Sequence, residues 1–140
     1  MSEARETRIL MISPDSMLTP DQLVREVHAM CRELNVKETC YGCLIEGSRE
    51  KVGEVLSRVR GLHRFEVFSK VRAYPCGDPR RCRAQHGTRP GFSQLEAEWA
   101  ALPVIQHSLM YVESGGKAVS PPERERVPVD AFKKICEAFQ

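Results

Sequence analysis

Residues 7–74 alternate between patterns typical of strands and patterns typical of helices. A short apolar run over 7–13, ended by Pro14, predicts a buried strand. A helix pattern, a strand or hairpin over 36–46, a second helix pattern and a strand over 64–74 follow in that order. Two short strands in 36–46 would give the order β-α-β-β-α-β of a ferredoxin-like fold, and one strand would give a three-stranded relative. The sequence therefore predicts an α+β, ferredoxin-like sandwich, with two helices on one face of a small antiparallel sheet.

Both predicted helices have recognisable ends. A capping box with proline at the first helical position, over 19–22, begins the first helix, and Ser48 caps the second. We expect Asn35 to end the first helix and Gly61 to lie just beyond the end of the second, where glycine is favoured. Each helix has one apolar face, formed by Leu23, Val27, Met30, Cys31 and Leu34 in the first and by Val52, Val55, Leu56 and Val59 in the second.

A helical extension is predicted to follow the sheet. Ser93 and Glu96 form a capping box, and Pro103 is expected to end or restart the helix that begins there. The apolar segment 104–112 is ambiguous between helix and strand. Residues 129–139 predict a short amphipathic helix that packs on the domain or on a partner.

Length and charge limit the function classes. The chain has 140 residues and a net charge of +2, so we expect one domain that is not a general nucleic-acid binder, since such binders carry a strong basic excess. We divide it into a core over 1–75, a functional loop over 76–92 and the helical extension over 93–140. The polar N-terminus lacks a secretory signal and no apolar run can span a bilayer, so a cytoplasmic protein is expected.

The loop that follows the last predicted strand is the strongest candidate for a binding site. Loops this long inside a compact domain are uncommon, and this one carries four arginines against one acid. Guanidinium groups on a loop stiffened by Gly and Pro suit carboxylate or phosphate groups of a protein partner or an anionic cofactor. A salt-bridge cluster with Glu96 and Glu98 is the alternative. The predicted anion- or partner-binding residues are Arg80, Arg81, Arg83, Arg89, Asp78 and Cys82.

The cysteines suggest a second hypothesis. Cys31 and Cys136 fall on apolar helix faces and are expected to pack there. A zinc or iron–sulfur site formed by the other four requires a turn at 41–42, because residues three apart in a flat strand point to opposite faces. Free thiols, buried or facing a partner, are the alternative. The candidate metal ligands are Cys40, Cys43, Cys76 and Cys82.

A third hypothesis is a domain that binds RNA or a nucleotide. RNA-binding sheets of this type stack bases on exposed aromatic side chains, and Phe68 and Tyr74 are the plausible pair on the uncovered face. No spacing in the chain pairs a nucleophile with a base, and there is no phosphate-binding glycine fingerprint. A non-catalytic protein is therefore expected.

Several sequence blocks resemble those of the methanogenesis marker protein 6 family. The resemblance covers roughly 7–110, and Gly77-Asp-Pro-Arg-Arg-Cys-Arg83 is its most specific block. It implies a cytoplasmic archaeal protein with an accessory role in making, modifying or activating methyl-coenzyme M reductase. It also implies that Cys40 and the segment 80–83 form the functional surface. The other blocks are Ile12-Ser-Pro-Asp-Ser16, Val36-Lys-Glu-Thr-Cys-Tyr-Gly42 with Leu44-Ile-Glu-Gly47, and Arg89-Pro-Gly-Phe-Ser-Gln-Leu-Glu-Ala-Glu98.

Overall fold

A computed structural model of the chain describes residues 4–81 and 90–139, with the backbone alone at Arg81. A 3-10 turn over Pro79–Arg81 follows the last strand. In chain order the strands and α-helices are β1 (Arg5–Ile12), α1 (Pro20–Met30), β2 (Asn35–Thr39), β3 (Gly42–Ser48), α2 (Arg49–Leu62), β4 (Val67–Arg72), α3 (Phe92–Glu113) and α4 (Val129–Ala138).

The described strands form one antiparallel sheet in the order β2-β3-β1-β4. In the register of this sheet, Ile9 on β1 lies between Leu44 on β3 and Lys70 on β4. The segment 36–46 does form two strands, joined by a turn at Cys40 and Tyr41. The predicted α+β, ferredoxin-like arrangement with a helical C-terminal extension is confirmed.

Helices α1 and α2 cover one face of the sheet and bury the main core. Alternate residues of β1 and β3, such as Leu10, Cys43 and Ile45, point to this face because successive strand residues face opposite ways. They pack against the predicted apolar faces of the two helices, whose members Leu23 and Val27 are fully buried. The binary pattern of the sequence therefore determines which residues are buried here.

The predicted N-terminal caps of α1 and α2 are both present. Thr19 and Gln22 exchange the two hydrogen bonds of the capping box, and the Ser48 hydroxyl accepts from the backbone N–H of Lys51. The predicted C-terminal ends were wrong. Helix α1 ends at Met30, and Gly61 lies inside α2.

The reason for both errors lies in the turns that follow the helices. A turn over 31–34 returns Leu34 to the core, where it packs so closely on Gly47 that a Cβ there would lie 2.4 Å from Leu34. After α2, the left-handed position is taken by Phe65 (φ 62°), and β4 starts at Val67 instead of Arg64. Arg64 places its guanidinium 4.8 Å from the centre of the Phe65 ring.

Helix α3 covers part of the second face of the sheet. Leu95 and Leu102 pack there on Ile9, Met11 and Leu44. The N-cap is Gly91 in the left-handed conformation, so the expected start at Ser93 was wrong. Within 4–81 and 90–139, no side chain caps this helix with a hydrogen bond.

Helix α3 also continues through Pro103, which was expected to end or restart it. Contacts on both sides of the proline hold the two halves in line. Before it, the Trp99 indole donates to the Ile12 carbonyl at 2.9 Å. After it, the Ser13 hydroxyl donates to the Gln106 side chain at 3.0 Å. The ambiguous segment 104–112 is therefore helical.

Helix α4 forms over Val129–Ala138 as the amphipathic pattern predicts, and none of its residues is buried. Among the described residues, no helix has both the length and the apolar character needed to cross a membrane.

Candidate functional site

The first part of the arginine loop is organised by one buried carboxylate. Asp78 accepts from the Arg80 backbone N–H at 3.0 Å, from its Nε at 3.1 Å and from its Nη2 at 3.0 Å. Pro79 fixes the turn between them. The Arg80 side chain is still 73% exposed. The Asp78 contact uses two of the five N–H donors of its guanidinium, so the group remains able to contact an anion.

The rest of the predicted anion site is only partly described. The Arg81 side chain, Cys82, Arg83 and Arg89 lie outside the described residues, so their roles stay predictions. The alternative, a cluster with Glu96 and Glu98, does not include Arg80, whose partner is Asp78.

Three of the four candidate metal ligands are described, and they do not come together. Cys40 lies in the β2–β3 turn, and Cys43 is fully buried beneath α1 and α2. Cys76 packs on the opposite face of the sheet, with its Sγ 3.8 Å from the Leu44 carbonyl oxygen. No group of three or more His, Cys, Asp or Glu side chains within 4–81 and 90–139 is placed to hold a metal ion. Because Cys82 lies outside these ranges, the four-cysteine hypothesis stays a prediction.

The buried thiols are held in the protonated form. Burial, and to a smaller extent nearby Cys76, raises the pKa of Cys43 to about 12. Burial and then the Glu46 carboxylate raise the pKa of Cys76. Since thiolates are the form that binds metals and attacks disulfides, both environments disfavour that chemistry at neutral pH.

The aromatic pair proposed for stacking bases is covered. Phe68 and Tyr74 are partly buried against the cluster that Leu95 and Leu102 of α3 form with the sheet. The expectation that they lie on an open face was wrong, because the C-terminal half of the chain occupies that face.

A charged cluster that the sequence reasoning missed links β4 to α3. The Glu98 carboxylate accepts from Lys70 at 2.6 Å, from Arg72 and from the Gln94 side chain at 3.1 Å. The hydrogen bond from Arg72, more than the others, lowers the pKa of Glu98 to about 2. Lys70 and Arg72 are two residues apart on β4, so they lie on the same face of the sheet. This spacing was visible in the sequence.

A cavity of about 320 Å³ opens beside this cluster. Its walls come from the second face of the sheet, from the end of β4 and from the first turn of α3. Thr39 lines it and is 6% exposed, and its hydroxyl has no hydrogen-bond partner within the described part of the chain. A buried polar atom without a partner is rare in native proteins, and no sequence signal singled out this threonine.

A second feature is the apolar surface of the last two helices. The exposed large side chains of the second half of α3 and of α4 form what we term the α3–α4 apolar surface. Its members are Val104, Ile105, Leu109, Met110, Tyr111 and Val112 on α3 and Val129, Phe132, Ile135 and Phe139 at α4.

Comparisons with known proteins relate the chain to archaeal proteins. The DUF2102 family, described as "Uncharacterized protein conserved in archaea", matches residues 9–110. The chain is similar to the uncharacterized protein MJ0498 of Methanocaldococcus jannaschii, with 36% identity over 145 residues, which covers 95% of this chain and 93% of the relative. No solved structure matches the chain. The expectation of an archaeal family is confirmed, and the narrower methanogenesis marker assignment stays a prediction.

Proposed function

We propose that this chain, which belongs to the archaeal DUF2102 family, is a non-catalytic accessory protein that docks a larger protein through the α3–α4 apolar surface. We further propose that the partner is methyl-coenzyme M reductase or a protein that assembles, modifies or activates it. The observation that carries the docking proposal is the exposure of large apolar side chains on two helices. Clusters of exposed large apolar side chains on a folded chain mark interaction sites.

Helix α4 has the form of a docking helix. Phe132 is 61% exposed and Phe139 is 88% exposed. They share one helical face with Ile135, and Lys134 lies on the other face. Apolar anchors at this spacing are typical of a helix that binds in the groove of another protein.

The second half of α3 supports the same proposal. No Asp, Glu, Lys or Arg occurs from Trp99 to Val112, so apart from Gln106, His107 and Ser108 this part of the helix is apolar. Gln106 on the inner side bonds to the sheet, while Val104 on the outer side is 68% exposed. Helices that are apolar all round are normally covered on all sides, which indicates a protein partner for the outer side.

Arg80 can add charge complementarity to the docking. It lies exposed on the turn before α3 and retains N–H donors beyond those used by Asp78. A partner with carboxylates near its apolar groove fits this surface, because charges at the rim increase the association rate and set the orientation.

The assignment to methane metabolism rests on the block Gly77-Asp-Pro-Arg-Arg-Cys-Arg83 and on the relative from a methanogen. Because neither identifies the partner directly, the proposal needs a test that separates the docking surface from the identity of the partner.

The test is anaerobic affinity purification of the tagged full-length chain from a genetically tractable methanogen, followed by quantitative protein identification. We expect reductase subunits or their assembly factors to co-purify with the wild-type chain. The double variant Phe132→Gln with Phe139→Gln should lose them, because it removes apolar contact area while keeping a good helix former in α4.

The matched control is Lys133→Gln with Lys134→Gln, which introduces the same residue type elsewhere on α4 and should retain the partner. Reductase proteins missing from the wild-type purification would overturn the methane assignment. Their retention by the double phenylalanine variant would overturn the docking surface. A stable dimer of the purified chain that this variant dissociates would show that a second copy occupies the surface, which also contradicts the proposal.

A further inference from the structure

We propose that the cavity between the second sheet face and the first turn of α3 binds a small organic anion. The ligand would have an apolar body and a single carboxylate or phosphate head. This site is separate from the α3–α4 apolar surface, so it does not depend on the docking proposal.

The cavity has the size and the walls of a small-molecule site. Its volume is about 320 Å³, within the range that ligand pockets occupy. Ile9, Leu44 and Leu95 supply an apolar floor and side wall. Such walls favour a ligand with a hydrocarbon or aromatic body over a free inorganic ion.

One wall presents hydrogen-bond donors that have no acceptor among the residues that the structure describes. The Thr39 hydroxyl is buried and has no partner in the described part of the chain. Gly91 and Gln94, from the first turn of α3, also line the cavity, and no side chain among the described residues caps this helix. Within the described residues, the backbone N–H groups of Ser93 and Gln94 have no backbone acceptor, whereas that of Leu95 donates to the Gly91 carbonyl at 3.1 Å. First-turn N–H groups at the positive end of a helix dipole bind anions.

Positive charge is concentrated at the same place. Lys70 and Arg72 line the cavity, and both are bonded to Glu98. Two cations around one carboxylate leave a local excess of one positive charge. The Glu98 contacts also hold the two cationic side chains in place. Ligand binding therefore does not have to bear the entropy cost of ordering them.

These observations select the ligand class. The threonine hydroxyl and the first-turn N–H groups, which lack a partner among the described residues, require an acceptor. The excess charge requires an anion, and the apolar wall requires a body that avoids water. A carboxylate and a phosphate both meet the requirement for the head, and the test distinguishes them.

The test uses 3-phenylpropionate as a probe, titrated into the full-length chain while amide and methyl NMR signals are followed. We expect saturable shifts at Thr39, Ser93 and Gln94. The Thr39→Val variant should bind about tenfold more weakly, since it removes one hydrogen bond to a charged acceptor. The Ser69→Ala variant is the matched control, because its buried hydroxyl is also unpartnered but lies on the opposite side of the sheet.

The uncharged analogue 3-phenyl-1-propanol and the phosphate monoester phenyl phosphate complete the design. Equal binding of the alcohol, or no saturable shifts with either anion, would overturn the proposal. Tighter binding of one anion supports the site and assigns the head as carboxylate or phosphate. Should Thr39→Val fail to fold, Lys70→Gln tests the same site: a severalfold loss of affinity that grows smaller in high salt supports it, and unchanged affinity contradicts it.

Discussion

The sheet with its first two helices and the last two helices of this chain differ in how they use apolar residues. In the first region, strand residues such as Ile45 and helix residues such as Val27 are fully buried by one another. In the second region, helices form with equally apolar sequences, yet Val104, Phe132 and Phe139 remain exposed. The first region buries its own apolar side chains, whereas the second region buries only some of its apolar side chains.

The difference separates two causes of helix formation. Helices α1 and α2 combine good caps with an apolar face that the sheet covers, so tertiary packing stabilises them. Helix α4 has no side-chain cap and no buried residue. Short isolated helices are marginal in water, so we expect α4 to gain most of its stability when it docks.

The largest expected contrast between the regions is in thiol reactivity. Cys43 is 0% exposed with a pKa of about 12, whereas Cys136 on α4 is exposed. Because Cys43 is buried with a raised pKa and Cys136 is exposed, alkylation of Cys43 at about pH 7.5 should be slower than that of Cys136 by about a thousandfold. Peptide mapping after timed alkylation measures both rates, and comparable rates in the native protein would contradict the buried position of Cys43.

Stability should show the second contrast. Replacing Ile45 by Ala creates a cavity in the closed core and should lower the free energy of unfolding by about 3 kcal/mol. Replacing Phe132 by Ala should change it by less than about 0.5 kcal/mol, because the side chain is exposed. Urea denaturation of the isolated chain checks both values. A cost near 2 kcal/mol for Phe132 would mean that α4 packs on its own domain.

Two glycines within the first region offer a sharper test of its packing. A Cβ on Gly42, where φ is 153°, would lie 2.0 Å from the Leu10 carbonyl oxygen. Gly42→Ala should therefore cost about 2 kcal/mol or more through strain in the central strands. A Cβ on Gly53 in α2 meets no neighbour within 4 Å, so Gly53→Ala should add about 0.5–1 kcal/mol. Thermal unfolding should show a lower melting temperature for Gly42→Ala and a higher one for Gly53→Ala. Equal shifts in melting temperature would contradict this packing.

The sequence predicted the first region well because its determinants are local. Strand alternation, the capping box at Thr19 and the cap at Ser48 each act over a few residues, and each is present in the structure. The errors at Asn35 and Gly61 have a tertiary cause. The first helix ends early so that Leu34 can pack on Gly47, and the chain reverses at Phe65 without using a glycine.

The candidate site was harder to predict because its parts are distant in sequence. Thr39, Lys70 and Gln94 lie on two strands and a helix, and only the sheet register and the position of α3 bring them together. Pro103 was misleading for the same reason. Proline normally ends a helix, but the bonds of Trp99 and Gln106 to the β1 end keep α3 continuous.

The smallest expected effect concerns Glu98, which joins the two regions by linking α3 to β4. Its pKa is lowered from 4.5 to about 2 in the folded chain, chiefly by the hydrogen bond from Arg72. A depressed pKa stabilises the fold fully above pH 4.5, and this contribution is lost as the pH falls through 2. Glu98→Gln should therefore cost about 1–2 kcal/mol at pH 7 and almost nothing near pH 2, with added salt reducing the difference. Urea titrations from pH 7 to pH 2 measure this convergence, and Glu96→Gln, on the exposed side of the same turn, is the matched control. If the Glu98→Gln and wild-type curves stay parallel down to pH 2, this carboxylate does not hold α3 on the sheet.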